Sequence, residues 1–262
     1  MKLSISNLAW NQKDDCEVFY LMHKLGFEGL EIAPTKIFPA EPYLKLDEAK
    51  IWSEKLRKEY GFSVPSMQSI WYGKTENIFS SEEESQILSA YTKSAIDFAS
   101  VIGCKNLVFG CPKNRNKPEN ADENIAIDFF RSLGDYAFSK NTCIGMEANP
   151  TIYNTNFINT TELALNLIKK VDSNGFKLNL DVGTMIQNQE TIEILKGYSD
   201  LINHVHISEP FLKKIEKREL HSDLIAFLKS EKYSGFVSIE MGLTENLSDL
   251  EDVMRYVENL WN

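Results

Sequence analysis

The chain has 262 residues and a formal net charge of −10, with 43% hydrophobic residues to supply a large core. The charge disfavours a nucleic-acid duplex as substrate, because neutralisation of phosphates by Lys and Arg drives that affinity. An anionic small molecule stays open, since a site can be locally basic on an acidic protein. The opening MKLSISNLAWN lacks the apolar run of a secretion signal, and no stretch reaches the roughly 18 to 20 apolar residues of a membrane span. Cys16, Cys104, Cys111 and Cys143 show no CxxC spacing, so a reduced, cytoplasmic protein is expected.

Eight strand-like runs follow one another at 2–6, 29–33, 63–68, 106–110, 143–147, 177–181, 204–208 and 237–240. Most read as short and apolar, as strands buried on both faces should. Helical periodicity is clearest over 14–25, 47–60, 82–102, 122–139 and 160–171, and weaker over 190–198, 219–231 and 247–260. Ser81 or Ser80 and Thr160 sit where helix caps belong. Gly26, Gly61, Gly103 and Gly235 each follow a helical run, where a left-handed residue ends a helix. Leu25-Gly-Phe27, Tyr60-Gly-Phe62 and Tyr233-Ser-Gly-Phe236 repeat one helix-to-strand joint. Strict alternation without a hairpin signal predicts a parallel sheet, and eight units predict an α/β fold of the (β/α)8 TIM barrel type, one domain over 1–262.

In such a barrel the active site lies at the carboxyl ends of the strands. Four successive runs, TCIGMEANP, FKLNLDVGT, INHVHISEP and FVSIEMG, end in Glu147, Asp181, His206 and Glu240. Three carboxylates and one imidazole suit one hard or borderline divalent cation, Mn²⁺ before Mg²⁺ or Co²⁺, rather than a structural Zn²⁺. His204 shares a strand face with His206 but lies deeper, and is expected as a hydrogen-bonded interior residue. His221, at a helix start, is expected on the surface. Lys113 and Arg115 follow the fourth strand and are candidates for holding an anionic group. Lys213, Lys214, Lys217 and Arg218 read better as a solvated loop. Trp10 and Trp71 could wall a sugar pocket, Gln68 could bind a hydroxyl, and Glu31 could orient substrate.

GMEANP, LNLDVGT, HVHISE and YSGFVSIEM, with SISNLAW and GFEGLEIAP near the start, resemble the xylose isomerase-like barrel superfamily and its sugar-phosphate isomerase/epimerase group. The resemblance covers nearly the whole chain. It implies that Glu147, Asp181, His206 and Glu240 bind one divalent cation and that Glu147 and Glu240 are also the catalytic acid/base pair. Family barrels often form homodimers or homotetramers, which is the expected assembly. The chain departs from the pattern after strand six: many epimerases have Asp-x-x-His, whereas here the run is Asp181-Val-Gly-Thr184. The loop after His206 also lacks the usual Arg and Gly-rich pattern.

The implied chemistry is abstraction of a proton beside a carbonyl, with the charge of the resulting enediolate offset by the cation and the proton exchanged by carboxylates. A sugar or sugar-phosphate isomerase/epimerase is therefore expected, with a small carbohydrate, phosphorylated or nucleotide-linked, as substrate. The alternatives are a lyase or dehydratase on the same metal site, or a non-catalytic sugar-binding barrel. An endonuclease with a multi-metal, His-rich cluster is disfavoured by four His in all and by the acidic charge.

Overall fold

The computed structural model describes residues 1–261. In chain order it contains β1 (Lys2–Ser6), α1 (Asp15–Lys24), β2 (Phe27–Glu31), the one-turn α2 (Pro34–Ile37), α3 (Leu46–Tyr60), β3 (Ser66–Met67), α4 (Glu82–Ile102) and β4 (Asn106–Phe109). There follow α5 (Asn124–Ser139), β5 (Ile144–Met146), α6 (Thr161–Val171), β6 (Phe176–Asp181), α7 (Val182–Asn188), β7 (Ile202–Ile207), α8 (Glu219–Ser230), β8 (Phe236–Ile239) and α9 (Leu247–Trp261). The strands pair in parallel in the order β2-β1-β8-β7-β6-β5-β4-β3. Two parallel bridges, Gly29 with Ser63 and Ile32 with Met67, close the remaining seam. This is the single-domain TIM barrel that the alternation predicts.

The seam is thin for a local reason. Pro65 has no N–H to donate, so the run expected over 63–68 keeps ladder geometry only at Ser66–Met67. On either side of it Leu30 N–H donates to the Ser63 carbonyl at 2.9 Å, and Gln68 N–H to the Ile32 carbonyl at 2.8 Å.

The strands are less uniformly apolar than the sequence reading has it; they alternate. Leu3, Ile5, Leu178, Leu180, Val205, Ile207, Val237 and Ile239 join the continuous core beneath the helices. Between them Ser4, Ser6, Asn179, His204, His206 and Ser238 are buried too, on the inward face. A buried polar group costs free energy unless it is hydrogen-bonded. Here the barrel interior bonds to itself. The Ser4 and Ser238 hydroxyls share a hydrogen bond, and His204 Nε2 lies 3.0 Å from Ser238 Oγ. Asn106 Nδ2 donates to Ser66 Oγ at 3.0 Å and to Asn179 Oδ1 at 3.1 Å. Gly145 makes room for this ladder: a Cβ there would collide with Asn106 Oδ1 and stand 3.0 Å from the Asn179 Cβ.

Ser81 and Thr160 cap α4 and α6, accepting from the N–H groups of Glu84 and Leu163. Gly26, Gly61 and Gly103 take the expected left-handed conformation, with φ of 70°, 71° and 75°. Gly235 does not. Lys232, at φ 56°, takes the left-handed position after α8, and Gly235 instead leaves space for the Tyr233 ring. The helix expected over 190–198 is also displaced. Asp181 caps α7 immediately after β6, Gln189 ends it at φ 56°, and only 3-10 turns at 192–195 and 199–201 follow. His221 is a further correction: it is fully buried between α8 and α9, its Nδ1 3.0 Å from Tyr256 Oη. Burial holds its pKa down, to about 4.

Gly145→Ala is expected to lower stability by about 1 to 3 kcal/mol by overpacking the Asn106–Asn179 ladder. Thermal unfolding checks this; an unchanged melting temperature would show that the ladder yields without cost.

Candidate metal centre and active site

β5 to β8 end on one side of the barrel and deliver Glu147, Asp181, His206 and Glu240 to a common point. Each offers a ligand atom, and these atoms all lie within 4.8 Å of one another. His206 Nδ1 faces the carboxylates, 3.1 Å from Glu240 Oε2 and 3.3 Å from Glu147 Oε2. Its other nitrogen, Nε2, lies 2.9 Å from Glu31 Oε2. A carboxylate that accepts from one imidazole nitrogen leaves the other nitrogen's lone pair free for a cation, the usual arrangement behind a metal-ligating His. Four convergent ligand atoms of oxygen and nitrogen, with the imidazole so oriented, fit one divalent cation.

Two of the carboxylates are individually braced. Asn149 Nδ2 donates to Glu147 Oε1 at 3.0 Å, and Asn179 Nδ2 to Glu147 Oε2 at 3.0 Å. Asp181 Oδ1 accepts from Thr184 N–H at 2.6 Å, and Oδ2 from Ser208 Oγ at 2.5 Å. The Asp181-Val-Gly-Thr184 run thus turns Asp181 into the cap of α7, and Thr184 serves the cap; its hydroxyl donates to the Ala148 carbonyl at 2.7 Å.

Charge crowding is severe without a cation. Burial, and after it repulsion from Glu147, push Asp181 up to about 6. Burial pushes Glu240 up to about 7, with the neighbouring carboxylates adding to it. His206 is raised well above an ordinary imidazole, because Glu240 and Glu31 outweigh its burial. Protons therefore collect where a dication would supply the charge.

The remaining candidate residues separate sharply. Gln68 lies at the mouth, its Nε2 donating to Ser6 Oγ at 2.7 Å and Glu31 Oε1 at 3.0 Å. Glu31 is fully buried beneath His206 and also bonds His204 Nε2 at 3.1 Å, so it orients imidazoles rather than substrate. Burial works against its ionisation, but the two imidazoles hold its carboxyl far below the usual range. His204 is the interior residue the sequence suggests.

Arg115 is fully buried, donating to the Glu147 carbonyl at 2.9 Å and Asn149 Oδ1 at 2.8 Å. It braces the segment that follows β5 and presents no face to a ligand. Lys113 is exposed and lies outside the cavity lining. Trp71 is packed edge-on against Phe109 and donates to Thr92 Oγ1 at 2.8 Å, while Trp10 donates to Asp15 Oδ1 at 2.8 Å. Both indoles are core residues, and neither walls the cavity. In the loop after β7, Arg218 grips Glu209 through two bonds of 2.6 Å, Lys214 pairs with Asp249 at 2.5 Å, and Lys217 lies over the Tyr256 ring.

The cavity above the quartet has a volume of about 240 Å³. Asn149, Tyr153 and Glu209 line it and were not singled out from sequence. Asn149 and Asn179 had a signal: each stands two residues from a ligand on the same strand line, and therefore on the same face. Tyr153 Oη accepts from Phe211 N–H at 2.8 Å, tying together the loops after β5 and β7.

The profile of the xylose isomerase-like TIM barrel family matches residues 19–260. The chain belongs to that family. No curated protein sequence matches it. Among solved structures, 3-keto-D-glucoside 4-epimerase YcjR from E. coli is 20% identical, with 99% of both chains covered and a TM-score of 0.78. D-psicose 3-epimerase with D-tagatose from Clostridium cellulolyticum H10 is 15% identical, covers 99% of this chain and 96% of its own, and gives 0.76. The IOLI protein with a bound zinc atom is 18% identical, with 99% and 96% covered and a TM-score of 0.72. At these identities the likeness is one of fold.

Cation loading should release protons, since Asp181 and Glu240 must ionise and His206 must lose its proton. The rise in melting temperature on adding Mn²⁺ is therefore expected to grow from pH 5.5 to pH 8, through the region around 6 and 7 set by Asp181 and Glu240. In Glu240→Gln that growth should shrink. A metal-induced shift independent of pH would contradict the proton-filled quartet.

Proposed function

We propose that the protein is a divalent-metal-dependent sugar isomerase/epimerase that works by proton transfer. The observation that carries this reading is the largely buried quartet of Glu147, Asp181, His206 and Glu240 at a small cavity on the mouth side of the barrel. When bound, the cation supplies Lewis acidity to the carbonyl and adjacent hydroxyl oxygens of a keto-sugar. Mn²⁺ suits three oxygen donors and one nitrogen best, with Mg²⁺ and Co²⁺ next. Asp181 and His206 are the pure ligands of this reading. Glu147 and Glu240, on strands separated by two others around the ring, are the proton carriers. Asn149 and Asn179 hold the Glu147 carboxylate at both oxygens, so it meets the substrate carbon in one orientation. Glu240 Oε2 lies 3.1 Å from His206 Nδ1, so one cation can take both as ligands. A proton returned to the opposite face gives an epimer; returned to the neighbouring carbon, it gives the isomer.

Support comes from two of the structural neighbours, whose names specify a 3-keto-D-glucoside 4-epimerase and a D-psicose 3-epimerase. The reading is tested in deuterated water with Mn²⁺-loaded protein and a panel of keto-sugars. Single-turnover product should carry solvent deuterium, and Glu147→Gln or Glu240→Gln should each reduce turnover by about 100-fold or more. Chelation should abolish turnover and Mn²⁺ restore it. Product free of solvent deuterium under single turnover would exclude solvent-exchanging proton transfer.

A further inference from the structure

The cavity lining carries a chemical signature that the sequence reading does not anticipate. Four acidic residues line it: Glu147, Asp181 and Glu240 of the quartet, and Glu209, paired with Arg218. Glu209 is 4% exposed and held by Arg218 through two 2.6 Å bonds, and its Oε1 also accepts from Glu216 N–H at 3.2 Å. The other polar groups at the mouth, Gln68, Ser69, Asn149 and Tyr153, are neutral, and Val108, Pro112 and Leu212 are apolar.

No Lys or Arg is among the described lining residues. The two nearby guanidinium groups are committed elsewhere, and Lys113 and Lys213 are exposed outside the lining. Arg115 is fully buried with both terminal nitrogens bonded to protein, and Arg218 and Glu209 neutralise one another. One dication against the three quartet carboxylates leaves the mouth with one negative charge in excess, since Glu209 and Arg218 cancel. A phosphate dianion there would meet repulsion and no bidentate donor. Sugar hydroxyls would find acceptors and neutral amides. The volume of about 240 Å³ falls below the roughly 300 Å³ at which typical ligand pockets begin.

Resting on the isomerase/epimerase reading, we infer that the site takes an uncharged keto-sugar of monosaccharide size and rejects sugar phosphates and nucleotide-linked sugars. Selectivity comes from the carboxylate-lined mouth, with Glu209 as a hydroxyl acceptor fixed by Arg218.

The test pairs free ketopentoses and ketohexoses with their phosphate esters on Mn²⁺-loaded protein. Solvent deuterium uptake reads turnover, and calorimetry reads binding independently of turnover. The free sugar should exceed its phosphate ester by about tenfold or more in kcat/KM, with a matching gap in affinity. Glu209→Gln should narrow that gap by raising KM for the free sugar more than it lowers kcat. A phosphate ester that binds or exchanges as well as its free sugar overturns the inference and leaves the isomerase reading standing. If Lys113→Gln removed such activity, the exposed lysine would be the phosphate contact the inference denies. Exchange and binding of neither class would bring down the isomerase reading and this inference with it.

Discussion

Three carboxylates and an imidazole are forced together at the barrel mouth, and repulsion among the carboxylates is the constraint around which the upper half of the molecule is arranged. Buried charge is tolerated only when paired or densely hydrogen-bonded. Three members therefore have dedicated braces: two amides on Glu147, a cap N–H and a hydroxyl on Asp181, and Glu31 behind His206. The braces have braces of their own. Arg115 fixes Asn149, Asn106 fixes Asn179, and Gln68 fixes Glu31. Half-satisfied polar networks are costly, so this one extends down the barrel until Ser4, Ser66 and Ser238 close it.

The interior thus differs from a barrel filled with branched aliphatic side chains. The apolar core lies in the shell between sheet and helices, where Phe109, Phe130 and Phe176 pack in sequence. The polar tube inside the sheet is free to serve the site. Small residues such as Ser4, Gly29, Gly145 and Ser238 offset the bulk of Asn106, Asn179 and His204, and the ligands above inherit that register.

The fold was legible because strand and helix periods alternate eight times with glycine stops between them. The quartet was legible because its members end four successive strands. What escaped depended on tertiary contact. Arg115 follows a strand directly, yet its guanidinium turns under Glu147 instead of toward solvent, since the loop after β4 folds back on Asn149. Trp71 ends near the mouth, but its indole finds Thr92 on α4. His221 has a polar side chain on the packed face of an amphipathic helix, where Tyr256 on α9 partners its Nδ1. Alternation in SISN, LNLD, HVHIS and VSIE was visible as residues, but reading those runs as uniformly apolar hid the inner tube and with it Asn149 and Asn179 as supports.

The central claim is that the quartet holds one divalent cation. Elemental analysis of protein stripped, refilled with Mn²⁺ and freed of excess metal tests it most directly, on wild type and on Asp181→Asn with Glu240→Gln. The account predicts about one equivalent per chain in the wild type, following the open single-site geometry, and none retained in the double variant. Absence of bound metal in the wild type, or several equivalents that survive the double substitution, would contradict it.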